Sequence, residues 1–215
     1  MLEILFPKMH KEGYRFLALA AVITFILLLI SNFLGIVSFI LTIWVFYFFR
    51  DPERFPINDE NYLVSPADGL VLQVQDSDGP KELNMEGKKF TKVSIFMNVF
   101  DCHVNRTPCS GKLTEMIYKP GIFLNASFDK ASEDNERKYY KITNSAGEDV
   151  IVVQIAGLIA RRIVSEVSEN SELKQGEKIG MIRFGSRADI YFNNYTPLVK
   201  INQRTIAGET LIAKK

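Results

Sequence analysis

The chain has 215 residues, of which 47% are hydrophobic and 24% charged, with a formal net charge of +1. So even a balance gives no electrostatic case for a nucleic-acid partner. Two cysteines, Cys102 and Cys109, are too few for a disulfide framework, and their spacing misses the short pairs of structural zinc sites, so reduced thiols in a cytosolic compartment are expected.

Residues 1–15 contain Lys8, Lys11 and Arg15 and read as an interfacial segment. From Phe16 to Phe49 no charged residue occurs. As one helix this stretch would reach about 50 Å, too long for a single crossing of a ~30 Å hydrocarbon core. A helical hairpin over residues 16–49 is expected instead, breaking near Ser31, Asn32 and Gly35. Its two arms, of roughly 15–17 residues, lie at the short end for full spans. Arg50 and Arg54 follow the second arm, so basic residues flank both outer ends and the positive-inside rule places both ends in the cytoplasm. Tyr14, Trp44 and Tyr47 sit near the ends, as interface anchors do. The competing reading is a buried helical pair in a soluble fold.

Residues 50–62 open on Arg50-Asp-Pro-Glu-Arg-Phe-Pro56 and read as a stiff polar linker, because each proline fixes its own backbone and extends the residue before it. Residues 63–215 form the main domain. Short runs rich in Val, Ile, Phe and Tyr predict strands at Leu70–Gln75, Lys92–Val99, Lys112–Tyr118, Tyr139–Thr143, Val150–Ile155, Ile179–Phe184, Ala188–Phe192, Leu198–Ile201 and Thr205–Ile212. Turn signals such as Asp68-Gly69, Asp78-Gly79-Pro80 and Gly176-Glu177 separate most of them. Gly157–Val167 fits either a helical or a strand period and stays open. The expected fold class is mainly β, a barrel- or sandwich-like domain preceded by an N-terminal hydrophobic helical hairpin.

No Gly-rich phosphate loop, His-Glu-x-x-His helix or Gly-x-Ser-x-Gly elbow is present, and no metal site is expected. Of the two histidines, His10 lies beside Lys8 and Lys11, where an interfacial or solvated residue is expected. His103 is then the imidazole of the folded domain, in Asp101-Cys-His-Val-Asn-Arg-Thr-Pro108 directly after a predicted strand, where a loop can present side chains from a rigid support. Asp68 in Ser65-Pro-Ala-Asp-Gly69 has the pattern of a turn aspartate, and Gly185-Ser186 that of an ordinary strand connection.

Taken in order, Glu12-Gly-Tyr-Arg-Phe16, Phe49-Arg-Asp-Pro52, Ser65–Gly69, Asn98–Gly111, Lys130–Arg137, Gln154–Arg162 and Gly176–Tyr191 resemble the short, prokaryotic-type phosphatidylserine decarboxylases across nearly the whole chain. The resemblance implies a self-cleaving, pyruvoyl-dependent proenzyme that converts phosphatidylserine to phosphatidylethanolamine and carbon dioxide in phospholipid biosynthesis. It implies a cut between Gly185 and Ser186: the Ser186 hydroxyl attacks the Gly185 carbonyl, elimination releases the upstream chain, and residue 186 becomes the pyruvoyl cofactor. The products, residues 1–185 and 186–215, would form a heterodimer, and a homo-oligomer is left open. Asp68 and His103 match the aspartate and histidine that assist the serine much as in a hydrolase triad, and His103 also matches the proton donor of turnover. Arg106 stands where longer enzymes of the family carry a second histidine, so either the one imidazole serves both steps or self-cleavage relies on another base. The planar fork of Arg106 suits a phosphate, which makes it the substrate-binding candidate. The hairpin would hold the site at headgroup depth on the cytoplasmic side of the cell membrane.

Two rivals stand beside this reading. One is decarboxylation of an ether-linked serine phospholipid, archaetidylserine. The other is a non-enzymatic membrane-tethered β-domain, suggested by the run Gly176-Glu-Lys-Ile-Gly-Met-Ile182.

Overall fold

The computed structural model describes residues 7–126, 134–157, 162–183 and 185–215. It divides into two compact units, Met1–Glu53 and Arg54–Lys215.

The first unit is a helical hairpin. Helices α1 (Tyr14–Ile30) and α2 (Asn32–Phe48) have 17 residues each and are joined through Ser31 alone, whose backbone is extended at φ −159 and ψ 130. Each is about 25 Å long. Small and hydroxylated residues hold the pair together. At the tip, a Cβ on Gly35 would fall 2.2 Å from Leu28 Cδ2, so only glycine lets the helices approach this closely. In the middle, the Thr24 hydroxyl bonds those of Ser38 (2.8 Å) and Thr42 (2.9 Å). At the base, His10 N–H donates to the Phe49 carbonyl, Asp51 N–H donates to the Lys8 carbonyl, and Phe16 stacks on Phe49. His10 is buried here, its Nδ1 accepting from Glu12 N–H, so it caps a turn rather than facing solvent. The apolar side chains point outward: Leu29, Ile30 and Phe33 are each at least 70% exposed, which calls for an apolar environment.

The second unit is mainly β. Its strands are β1 (Tyr62–Val64), β2 (Gly69–Asp78), β3 (Lys89–Met97), β4 (Val104–Arg106), β5 (Gly111–Lys119), β6 (Arg137–Thr143), β7 (Asp149–Ala156), β8 (Ile163–Ser165), β9 (Glu172–Leu173), β10 (Lys178–Ile182), β11 (Ser186–Phe192), β12 (Thr196–Pro197), β13 (Arg204–Thr205) and β14 (Leu211–Lys214). Eight form one curled antiparallel sheet in the order β13-β2-β3-β11-β7-β6-β5-β9. Two three-stranded sheets, β1-β14-β12 and β4-β10-β8, pack on the same core as one face of the large sheet. Strand β11 lies in its interior, and alternation sends Ala188, Ile190 and Phe192 into that core. The opposite face of the sheet packs Tyr139, Ile151, Val153 and Ile155 against Leu83, Met85 and Phe90.

The mainly β fold class agrees with the sequence pattern, with local departures. Leu198–Ile201 is not a strand: Asn202 is left-handed, and the Lys200–Gln203 pair closes a turn by exchanging bonds, which takes these residues out of the ladder. Thr205–Ile212 is two strands rather than one, interrupted by a turn over 206–210. There Gly208 is left-handed and Thr210 Oγ1 accepts from Ile206 N–H. In the open segment Gly157–Val167, Ile163–Ser165 is a strand, and residues 158–161 lie outside the described residues, as does Phe184 at the end of another predicted strand.

A polar chain crosses the core beneath β11. Tyr140 O–H donates to Gln154 Oε1 (2.7 Å), Gln154 Nε2 donates to Asn105 Oδ1 (2.7 Å), and Asn105 Nδ2 donates to the Pro66 carbonyl (3.3 Å). All three side chains are fully buried. Removing one donor therefore leaves a desolvated acceptor. We expect Tyr140→Phe to lower the stability of the full chain by about 1–3 kcal/mol, read from urea unfolding in detergent. An unchanged midpoint would mean that the chain of bonds contributes nothing to the fold.

Candidate active site

Of the residues singled out in the sequence, His103 meets the Gly185–Ser186 junction at the start of β11, whereas Asp68 in the turn before β2 and Arg106 at the end of β4 bond to other partners. Ser186 is the first residue of β11, paired with Met97 on one side and Ala156 on the other, and it is fully buried. Its hydroxyl points at Met97 Sδ, 3.8 Å away. Gly185, one bond earlier, has left the ladder with a left-handed φ of 61, a conformation open to glycine and strained for other residues. The Gly185–Ser186 peptide bond is thus the point where a fixed strand meets a tight turn.

His103 reaches this junction from the segment before β4. Its Nε2 accepts from Gly185 N–H at 3.2 Å, and its Nδ1 donates to the Asp101 carbonyl at 2.9 Å, which assigns the tautomer with the proton on Nδ1. The imidazole is wholly buried. Asp101 is itself held: its carboxylate accepts from Asn98 N–H (2.9 Å) and from Arg204 Nη2, so the loop that carries His103 is tied at both ends. A main-chain carbonyl therefore orients the ring at Nδ1, where a carboxylate stands in a hydrolase triad.

Asp68 lies in the turn that feeds β2. Its carboxylate accepts two bonds from Arg54 Nη2 (2.8 and 3.1 Å) and one from Ala207 N–H (2.8 Å). The turn is stitched to β4, because the Pro66 carbonyl accepts from both Arg106 N–H and Asn105 Nδ2. Arg106 is buried rather than solvated, with Nη1 donating to the Gly176 carbonyl at 2.9 Å.

Several residues escaped the sequence reading. Arg54 looked like part of the basic flank of the hairpin, and nothing in its spacing marks it as the partner of Asp68. Arg187 and Asp189 make a doubly bonded ion pair (2.9 and 3.0 Å), each 1% exposed, on the sheet face opposite Ser186. Their two-residue spacing within an apolar strand was a legible signal, since residues i and i+2 share a face. Asn135, from a motif whose first four residues lie outside the described part of the chain, bonds the Ala156 carbonyl at 2.6 Å and so fixes the end of β7 beside the junction. Cys109 stands apart from this chemistry: burial pushes its thiol up to about 12, so it stays protonated near neutral pH. A surface cavity of 690 Å³, lined by residues including Glu60, Lys112, Asn144 and Glu172, contains none of the site residues.

Comparison with known proteins identifies the family. The family model of phosphatidylserine decarboxylase matches residues 41–213. The chain is 71% identical to the phosphatidylserine decarboxylase proenzyme of Pelagibacter ubique, over the full length of both chains. It is 50% identical to the proenzyme of that name from Cereibacter sphaeroides, covering 99% of this chain and 92% of the relative. For the one from Ruegeria pomeroyi the identity is 48%, covering 99% and 98%. These matches make the chain a member of a decarboxylase family whose relatives are made as proenzymes. That family is the phosphatidylserine decarboxylases, and the chain belongs to it.

The Arg54–Asp68 pair gives the site a direct test. Both side chains are only 13% exposed, so Arg54→Leu leaves a nearly buried carboxylate without its ionic partner. Removing a partner from a fully buried pair costs about 3–5 kcal/mol, and the partial exposure here brings the expected loss nearer about 1–3 kcal/mol. Urea unfolding of Arg54→Leu against the parent measures it, and equal midpoints would contradict this assignment.

Proposed function

We propose that this chain is a self-cleaving proenzyme that decarboxylates phosphatidylserine to phosphatidylethanolamine. The observation that carries the reading is the Gly185–Ser186 junction, with a left-handed glycine, a buried serine hydroxyl and the His103 imidazole on one peptide unit. In the first step Ser186 Oγ adds to the Gly185 carbonyl carbon and the C–N bond breaks, so the acyl group moves to oxygen and the Oγ proton ends on the freed nitrogen. Loss of the Ser186 α-proton then breaks the Cβ–O bond and releases residues 1–185 as a carboxylate. Tautomerisation of residue 186 and hydrolysis by water leave a ketone at the new chain end and free ammonia.

The residues suit a pyruvoyl group at position 186. Pairing of Arg187–Phe192 with β3 and of Arg187–Tyr191 with β7 holds the new chain end in place after the cut, and the product chains remain one heterodimer. When formed, that group supplies an electron-accepting ketone for the electrons left as carbon dioxide departs. His103, fixed through Nδ1, holds Nε2 at the junction as the base for the serine and the proton donor in turnover. Asp68 acts with it as the assisting carboxylate. Arg106, anchored by Gly176, is the assignment for the substrate phosphate.

The hairpin seats the enzyme in the cell membrane, where its two-tailed substrate resides. Lys11–Ile30 is long and apolar enough to cross a bilayer by length and composition, and the outward apolar face of the pair supports lipid contact. Lys8, Lys11, Arg15 and Arg50 at the open end favour a cytoplasmic catalytic domain. Of the two lipid classes weighed from the sequence, phosphatidylserine is favoured by the names of the curated relatives. Family membership sets aside the non-enzymatic module.

Ser186→Ala is expected to remain a single chain and to release no carbon dioxide from phosphatidylserine; normal processing of that variant would place the cut elsewhere. Asp68→Ala is expected to slow the conversion of precursor to product chains, followed on gels, by about 10²- to 10⁴-fold, the range of general acid–base assistance. For His103→Ala the account predicts loss of both cleavage and carbon dioxide release. Normal cutting without release would confine the imidazole to turnover.

A further inference from the structure

A second glycine faces the Gly185–Ser186 bond from the end of β7. In the antiparallel register Ser186 pairs with Ala156, so one further step sets Gly157 opposite Gly185. A Cβ built on Gly157 would lie 2.2 Å from the Gly185 carbonyl oxygen and 3.0 Å from its carbon. Real Cβ atoms essentially never come within 3.0 Å of another heavy atom, so any side chain at 157 would have to displace this carbonyl or itself by at least about 0.8 Å.

Gly157 is poorly placed to retreat. The residue before it is bonded on both of its backbone groups, the Ala156 N–H donating to the Glu136 carbonyl (2.9 Å) and the Ala156 carbonyl accepting from Asn135 Nδ2 (2.6 Å). The φ of Gly157 is not in the left-handed region, so the backbone itself places no demand for glycine there. What requires glycine is the carbonyl of Gly185. The same carbon is the one that Ser186 Oγ must reach, and its oxygen takes up negative charge as the hydroxyl adds.

We infer that Gly157 is a positioning residue for self-cleavage: its missing side chain is the space that lets the Gly185 carbonyl sit where Ser186 can attack it. This rests on the assignment of the cut to Gly185–Ser186 and adds a requirement on the opposite strand. A methyl group at 157 shifts the attacked carbonyl relative to the hydroxyl, and a displacement of the order of 1 Å slows such a step about 100-fold. The other neighbour of that methyl group is Ala126 Cβ at 3.3 Å, a contact that a small adjustment relieves.

The test uses the full chain, synthesised in the presence of detergent so that precursor and product chains are followed from time zero. Gly157→Ala is expected to lengthen the precursor half-life about 100-fold while its melting transition stays close to that of the uncut Ser186→Ala chain. Cutting at the parental rate would overturn the inference. The double variant Ala126→Gly/Gly157→Ala removes the milder contact and keeps the one with the carbonyl, so it should be cut as slowly as Gly157→Ala. Restored cutting would assign the block to Ala126 and overturn the inference as well. Should Gly157→Ala fail to melt cooperatively, the double variant carries the same comparison. A second readout does not depend on cleavage. In the Ser186→Ala chain, residues 185–186 form the single Gly–Ala peptide, so carbonyl-13C glycine with 15N-alanine reports on the Gly185 carbonyl alone. Adding Gly157→Ala is expected to move that NMR signal, and an unmoved signal would contradict the proposed contact. If the parent chain itself is not cut at 185–186, the reading of the site fails, an outcome distinct from equal cutting of parent and Gly157→Ala.

Discussion

The ladder that holds β11 ends at Ser186, and the left-handed turn of Gly185 begins one bond earlier. The rest of the site follows from that junction. A strand in the interior of an eight-stranded sheet cannot shift its register without carrying Ala188, Ile190 and Phe192 out of the core, so the serine is fixed by apolar burial on a scale that no local contact could match. The glycine turns the chain out of the sheet and gives its N–H to His103. The Ser186 hydroxyl rests against Met97 Sδ, so the proposed internal acyl shift requires it to turn from the sulfur toward the Gly185 carbonyl.

Around this junction the polar groups form a frame. Asn105 and Gln154 tie β4 to β7 beneath the serine, Pro66 ties the Asp68 turn to β4, and Asp101 ties the His103 loop to itself and to Arg204. The bonds of Asn105, Gln154 and the Pro66 carbonyl are buried, where an unmade partner is expensive, whereas Arg204 meets Asp101 from a largely exposed position. On the opposite face the Arg187–Asp189 pair fixes the residues just after the proposed cut. The frame thus holds the strand that begins at 186 independently of the peptide bond before it.

Much of the fold could be read from the sequence, and the exceptions have physical causes. Strands β2, β3, β5, β6, β7 and β11 carry β-branched and aromatic residues between clear turn signals, and their centres fell where expected. The break of the hairpin at Ser31 was equally legible, because an uncharged stretch of that length has to fold back. Thr205–Ile212 misled because its apolar pattern is continuous while Gly208 turns the chain within it. The site was less legible. Ser186, His103 and Asp68 were selected by resemblance, since alone they look like loop residues. Arg54 and the main-chain carbonyl of Asp101 are partners set by tertiary contact, and no local spacing announces them. Gly157 was hidden for the same reason, because its role depends on a carbonyl 28 residues further along the chain.

The central claim is that residue 186 begins a separate chain and carries a ketone. The most direct measurement is the intact mass of the purified protein, with and without a carbonyl-reactive hydrazide. The account predicts two chains, residues 1–185 and a small chain from 186 to 215 whose blocked N-terminus takes up one hydrazide. A single uncut chain in preparations that decarboxylate phosphatidylserine, or a small chain with a free amino terminus, would contradict it.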